Sequence, residues 1–327
     1  MSAMPQILTC SSDAEPGICR RVRGKGFSFH NPDGSKVEDA KTLDRITTLA
    51  IPPAWRDVWI CPQEHGHIQA TGYDARDRKQ YRYHDKWREH RDALKFASLS
   101  DFGDSLPALR QRVRRDLGRN RPDKDFVCAA LVRLLDKAAL RVGTDAYARE
   151  NKTYGATTLR MKHLSLLDAG HIKLDFTAKG GKRVRKQITD RTLHRAMERI
   201  GDLKGYEVFH YLTEEGRRCG VDSGDVNAYL NETLDSDFSA KTFRTWHGTV
   251  AAFEEALEAD DLTIKAMCER ASGVLHNTPA ICRSSYIHPE IIKLAEDEAR
   301  ARRLSATEKA RRSGLRVAEA RLLAFLD

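Results

Sequence analysis

The stretch His276–Pro289, "HNTPAICRSSYIHP", decides how the chain reads. Its tyrosine, Tyr286, follows Ser284 and Ser285 and has Ile287 as its one apolar neighbour. Thr278 is a side-chain cap for a helix that begins at Pro279, where the preset φ of proline suits the first helical position and no N–H is needed. Pro289 biases His288 away from helical dihedrals, so the helix is expected to stop close to His288. Tyr286 then falls near the last turn, where its hydroxyl can reach a ligand instead of a core. A serine-flanked tyrosine is ordinarily only a surface residue, so its meaning depends on what else the chain carries.

The chain has 327 residues, enough for two domains or one domain with an extension. No apolar run approaches the ~18 residues needed to span a bilayer, and the N-terminus lacks the basic start and apolar core of a signal peptide. A cytoplasmic protein, held close to the nucleoid by its DNA partner, is the expectation. Seven widely spaced cysteines with no Cys-x-x-Cys pair argue for reduced thiols and against a structural zinc site. The surplus of 56 basic over 47 acidic side chains, a net charge of +9, is compatible with a nucleic-acid partner, though many basic proteins only present a solvated positive face.

Short alternating runs broken by Gly, Pro and Asp fill residues 24–85 and predict a small β-rich domain. Beyond Trp87 helical spacing takes over. The expected organisation is a disordered tail over 1–20, a β-rich domain over 21–92, and a mainly helical domain over 93–327 with a C-terminal helical extension. Within the helical part, "HIKLDFTAKGGKRVRKQITD" (171–190) alternates Ile172, Leu174 and Phe176 on one side, turns at Gly180-Gly181, and continues with Val184 and Ile188. That is a β-hairpin with Lys179 and Lys182 at its tip. In "DKDFVCAALVRLLDKAALRVG" (123–143), Val127, Leu131, Leu134 and Ala138 form a buried stripe whose next position is Arg141. An arginine there must meet water, a carboxylate or a bound anion. In "SAKTFRTWHGTVAAFEEAL" (239–257), Ser239 reads as an N-cap, Phe243, Trp246, Val250, Phe253 and Leu257 as a buried face, and Lys241 and Arg244 as two cations one turn apart.

Taken in order, Arg141, Lys179, Arg244, Asn277 and Tyr286 resemble the catalytic set of one family, the type IB DNA topoisomerases of the compact poxvirus and bacterial kind. The phrases that carry the resemblance are "RVGTDAYARENKTYGATTLRMKHL" (141–164), "FTAKGGK" (176–182), "KTFRTWHGT" (241–249) and "NTPAICRSSYIHP" (277–289), with "IPPAWRDVWICP" (51–62) and "GHIQATGYDARDRKQYRYHDKW" (66–87) before them. It covers about residues 24–289. The resemblance implies an α+β fold with a small N-terminal β-rich domain and a larger, mainly α-helical catalytic domain bearing a β-hairpin, like the tyrosine recombinases and topoisomerases IB. It implies an enzyme that relaxes positive and negative supercoils through a 3′-phosphotyrosyl intermediate, needs no ATP, metal or cofactor, and closes as a monomer around double-stranded DNA.

By the same resemblance Tyr286 is the nucleophile, Arg141 and Arg244 clamp the non-bridging phosphate oxygens, and Lys179 is the general acid to the 5′ oxygen. Poxvirus members have His-Thr-Pro where this chain has Asn277-Thr278-Pro279. Aligned on Thr-Pro, Asn277 takes the histidine's place; it can donate an amide hydrogen bond but carries no proton. His276 is the competing candidate for that position. Lys79, Gln80, Tyr81 and Tyr83 of the β-rich domain, with Tyr147 and Lys241, are implied DNA contacts, and Asp77 stands where many relatives have glycine. Two other readings stay open: a tyrosine site-specific recombinase, although those typically carry His-x-x-Arg where this chain has Lys241-Thr-Phe-Arg244, and a non-enzymatic basic DNA-binding protein.

Overall fold

The computed structural model of the chain describes residues 4–24, 26–203, 205–234 and 238–327, apart from the side chains of 146 and 147. The chain divides into two compact units, Met1–Lys95 and Phe96–Asp327. The fold is α+β, as the sequence led us to expect. Among the described residues no helix is long and apolar enough to cross a membrane.

The first unit contains strands β1 (Ile18–Arg23) and β2 (Gly26–His30), helix α1 (Ala40–Thr48), and strands β3 (Arg56–Ile60), β4 (Ile68–Tyr73) and β5 (Lys79–Tyr83). The strands pair antiparallel in the order β2-β1-β3-β4-β5. One face of the sheet is covered by α1, and Ile18, Val37, Ile46, Val58, Ile60 and Ala70 close the core between them. Residues 4–17, expected as part of a disordered tail, are instead bound to this unit. Leu8 is buried, and Ser11 Oγ accepts from the Ile68 amide at 3.0 Å. Asp13 accepts from Thr71 Oγ1 at 2.8 Å and pairs with Lys79 at 2.5 Å. Short polar side chains that satisfy buried partners anchor this segment, a mechanism that a hydrophobic pattern does not reveal. Asp77 takes the left-handed conformation with φ +56°, so the turn keeps a glycine-like backbone with a residue that tolerates it.

Helix α2 (Asp85–Ala97) contains the point at which the two units divide. The second unit continues with α3 (Leu99–Leu117), α4 (Lys124–Ala138), α5 (Asp145–Asn151), strands β6 (Leu164–Leu167), β7 (His171–Thr177) and β8 (Arg183–Thr189), and α6 (Arg191–Gly201). A small hairpin of β9 (His210–Leu212) and β10 (Arg218–Gly220) precedes α7 (Ser223–Thr233), α8 (Thr242–Glu258), α9 (Ile264–Leu275), α10 (Pro279–Ser285), α11 (Pro289–Lys293), α12 (Arg300–Ala306) and α13 (Val317–Leu326).

The hairpin follows its alternation: Ile172, Leu174, Phe176 and Val184 are buried, with Phe176 opposite Val184 in register. Gly180 and Gly181 turn the tip with φ +79° and +74°, values that favour glycine. Two local expectations are corrected. Helix α4 buries Val127, Leu131, Leu134 and Ala138, but it ends at Ala139 in the left-handed conformation, so Arg141 lies beyond the helix instead of continuing its stripe. Helix α8 starts at Thr242 with Lys241 in the N-cap position and no side-chain cap, so Ser239 lies in the turn before it, its carbonyl accepting the Thr242 amide at 2.8 Å.

Helix α13 packs against α3 and α8. Its Glu319 is wholly buried, and its oxygens accept from Arg110 (2.9 Å), Arg316 (2.9 Å) and the Trp246 indole (3.3 Å). Burial alone would raise the pKa of this carboxyl, but Arg110 and Arg316 outweigh it and hold it well below the carboxylate range. Ion pairs absorb much of the basic run 110–124: Arg110 also reaches Asp136, and in a second group Arg112 and Arg115 reach Asp116 and Arg119 reaches Asp123. These arginines serve internal pairs. Replacing Glu319 by Gln leaves Arg110 and Arg316 short of a buried counter-charge and should cost about 3 kcal/mol in denaturant unfolding. A loss below ~1 kcal/mol would show that the network contributes little.

Candidate active site

In the second unit, a cavity of about 380 Å³ is lined by Arg141, Lys179, Lys241, Arg244 and Tyr286, together with the loop residues Val142–Thr144 and Thr153–Gly155. Five residues from four separate parts of the sequence therefore meet at one place. Each is set there by a different local device.

Arg141 leaves α4 through the left-handed Ala139, and the next turn requires glycine: Gly143 has φ +94°, and a Cβ on Gly155 would stand 2.5 Å from Gly143 Cα. The Arg141 and Val142 carbonyls accept from Ala156 and Thr157 amides at 2.8 and 2.7 Å, which fixes the backbone from which Arg141 projects. Lys179 reaches the cavity from the hairpin tip. Arg244 sits in the first turn of α8, and its side chain is almost fully buried. Its guanidinium donates to the Ala139 carbonyl and, at 2.9 Å, to the Leu275 carbonyl. It thus joins the C-terminal ends of α4 and α9, whose last carbonyls lack intrahelical donors and carry the negative end of the helix dipole. Burial and then Arg141 lower the Arg244 pKa, with Tyr286 acting in the opposite sense.

Tyr286 is the residue immediately after α10, whose start follows the expected form: Thr278 Oγ1 accepts the Ile281 amide at 3.3 Å and Pro279 opens the helix. The helix stops at Ser285, and His288 caps the next one, α11, instead of ending α10. The tyrosine ring faces Arg244, with the guanidinium carbon 5.1 Å from its centroid. Burial raises the pKa of the phenol, yet Arg244, then Lys241 and Arg141, outweigh it, and the net shift is downward.

Asn277 lies outside the cavity lining but is joined to it. Its Oδ1 accepts from Arg141 Nη2, its carbonyl accepts from Ser272 Oγ at 2.7 Å, and its buried Nδ2 has no protein partner among the described residues. The Nε of Arg244 is likewise buried without one. Unmet buried donors are costly, so an acceptor brought by a ligand would relieve both. His276 caps α9 with φ +50° and lines a smaller separate cavity with Arg141 and Arg244. Burial, then Lys186, Arg244 and Arg141, push its pKa down and favour the neutral ring.

In the first unit, Lys79, Tyr81 and Tyr83 share the open side of β5, and the two rings stack at 5.8 Å. Lys79 is held by Asp13, and Gln80, on the other side, donates to Asp74 at 3.1 Å. The side chain of Tyr147 lies outside the described residues. Among the described residues no three His, Cys, Asp or Glu side chains gather as a metal site.

Two features escaped the sequence reading. Gly248 and Thr249 of α8 seat the tyrosine: a Cβ on Gly248 would stand 2.6 Å from the Tyr286 carbonyl, which accepts from Thr249 Oγ1 at 3.3 Å. A glycine inside a helical pattern was the available signal. Lys186 of β8 donates to the Ala138 carbonyl at 2.6 Å and the Val274 carbonyl at 2.7 Å. A lysine two residues from Val184 and two from Ile188, on their side of the strand, was the signal there.

A family model described as the eukaryotic DNA topoisomerase I catalytic core matches residues 84–303, and one described as the bacterial DNA topoisomerase IB N-terminal domain matches residues 26–74. A DNA topoisomerase 1B of Acanthamoeba polyphaga mimivirus is 31% identical over 297 residues, 86% of this chain and 88% of the viral protein. The DNA topoisomerase 1B of Vaccinia virus (strain Western Reserve) is 20% identical over 289 residues, 84% of this chain and 88% of its own length. Among solved structures, a post-cleavage complex of the XerH site-specific recombinase with its difH substrate superposes with a TM-score of 0.39 at 13% identity, covering 62% of this chain and 51% of that one.

The cationic surroundings of Tyr286 are measurable. The tyrosinate absorbance of wild type minus that of Tyr286→Phe should give a midpoint below the ~10 of a free phenol, and Lys241→Ala should move it upward. A midpoint at or above the free value would contradict the electrostatics described.

Proposed function

The chain belongs to the type IB DNA topoisomerase family, and from that premise we propose that it relaxes positive and negative supercoils in double-stranded DNA by reversible single-strand cleavage at Tyr286. The observation that carries this reading is the single cavity shared by Tyr286, Arg141, Lys179, Lys241 and Arg244.

The chemistry needs that combination. As the Tyr286 oxygen attacks a backbone phosphorus, it gives up its phenol proton to water, its bond to the phosphorus forms and the bond to the 5′ oxygen breaks, giving a 3′-phosphotyrosyl link and a free 5′-hydroxyl. Negative charge builds on the non-bridging oxygens and the leaving oxygen, and fixed donors aimed at those atoms lower the barrier. Arg141 and Arg244 serve the non-bridging oxygens, and the unpartnered Nε of Arg244 and Nδ2 of Asn277 are donors available to them. Lys179 gives a proton to the leaving oxygen. The hydrogen bond that Asn277 accepts from Arg141 supports Asn277 as the fifth member of the set.

One phosphodiester replaces another, so resealing needs no ATP, and the cations supply charge neutralisation without a metal ion. While the strand is open the 5′ end rotates about its partner and releases torsion of either sign. Lys241, Lys79, Gln80, Tyr81, Tyr83 and Tyr147 are proposed as contacts along the duplex, with the protein acting as a monomer.

Supercoiled plasmid incubated with the pure protein and excess chelator, without nucleotide, should yield relaxed topoisomers from substrates of both signs. Tyr286→Phe should lower the rate at least ~10³-fold while retaining salt-sensitive DNA binding. Relaxation by the Phe variant at the wild-type rate, or strand exchange at a defined site without relaxation, would overturn the proposal.

A further inference from the structure

Arg244 is not the only cation between the ends of α4 and α9. Lys186 donates to the Ala138 and Val274 carbonyls, each one residue before the carbonyls that Arg244 takes, Ala139 and Leu275. Two side chains from different elements, β8 and α8, thus bridge the same two helix termini in parallel. Both helices then exit through a left-handed residue, Ala139 at φ +51° and His276 at φ +50°. Asn277 comes directly after one exit and Arg141 two residues after the other, and their side chains are hydrogen bonded.

We propose that Lys186 is a positioning residue for strand cleavage: its ammonium holds the ends of α4 and α9 together and so sets the placement of Arg141 and Asn277 about the scissile phosphate. The inference rests on the phosphotyrosyl reading of the site. A lysine on the inward side of β8, opposite Leu174 in register, is a costly choice if the position only had to fill space, since an apolar side chain would do so without desolvating a charge. The cost is visible in the ammonium, whose pKa is pushed down to about 8 by burial and then by Arg244. What a lysine offers in return is a compact group with several donors, able to satisfy one orphan carbonyl on each helix. The two helix ends contribute roughly half a negative charge each, less than the two cations bring, so the surplus is positive on the side where phosphate charge develops.

The test separates placement from binding and from stability. The rate constant of single-turnover cleavage is measured at saturating enzyme on a duplex labelled on the scissile strand, for wild type, Lys186→Met, Asn277→Ala and the double variant. DNA affinity is measured in the Tyr286→Phe background. Lys186→Met should slow cleavage on the order of 10²-fold, the scale expected for reacting groups displaced by about 1 Å, with DNA affinity changed less than ~3-fold. In the Asn277→Ala background the same substitution should cost less than ~10-fold, because one of the two groups it positions has gone and with it the side chain that ties Arg141 to the α9 end. If Lys186→Met does not fold, Lys186→Gln, which keeps two N–H donors but no charge, carries the same comparison. Cleavage by the folded variant within ~3-fold of wild type, or an equal loss in both backgrounds, overturns the role of Lys186 alone. A wild type that forms no covalent adduct overturns instead the reading on which the inference depends.

Discussion

The ends of two helices, joined through buried cations, are the constraint on which the rest of the site depends. Arg244 receives the carbonyls of Ala139 and Leu275, and Lys186 those of Ala138 and Val274. A guanidinium as buried as that of Arg244 needs compensation, and the two helix termini supply it without a carboxylate. This matters for the chemistry. A carboxylate partner would neutralise the charge offered to the phosphate in the proposed reaction, whereas carbonyl oxygens orient the guanidinium and leave its full charge in place. The neutral partner of Arg141, Asn277, follows the same logic.

Around this junction the fold supplies rigid supports. Helix α4 is buried along most of its length, α8 carries Trp246 and Phe243 into the core, and the β7–β8 hairpin fixes its inward side chains before reaching out to Lys179 at its tip. Gly248 lets the Tyr286 backbone lie against α8. The C-terminal helix α13 closes the far side through Glu319, which links Arg110, Arg316 and the indole of Trp246, two residues from Arg244. The extension beyond residue 289 is therefore part of the core that holds α8 in place.

The hairpin, the buried face of α8 and the short helix before Tyr286 were legible because each rests on local rules: period-two alternation with a Gly-Gly turn, a helical apolar stripe, and a Thr-Pro cap. The residues that meet at the cavity were legible through the resemblance to the type IB topoisomerases that their phrases carry. What eluded the sequence depends on tertiary satisfaction of polar groups. Arg141 looked like the continuation of the α4 stripe, but an alanine took the left-handed conformation that ends the helix, and nothing in alanine advertises that. Residues 4–17 looked unanchored because Ser11 and Asp13 are bound through hydrogen bonds and an ion pair, not through apolar burial. The role of the basic run 110–124 is not legible locally either, since one of its carboxylate partners lies about 200 residues away in sequence.

In the proposed reaction the phenol oxygen of Tyr286 becomes bonded to a DNA phosphorus in the presence of these cations. Its most direct test is the location of the bond. Protein denatured during reaction with DNA, digested with nuclease and protease, and sequenced by tandem mass spectrometry should carry the nucleotide mass on the peptide containing Tyr286, attached at that residue through a 3′ phosphate. A nucleotide mass on any other residue, or one attached through a 5′ phosphate, would contradict it.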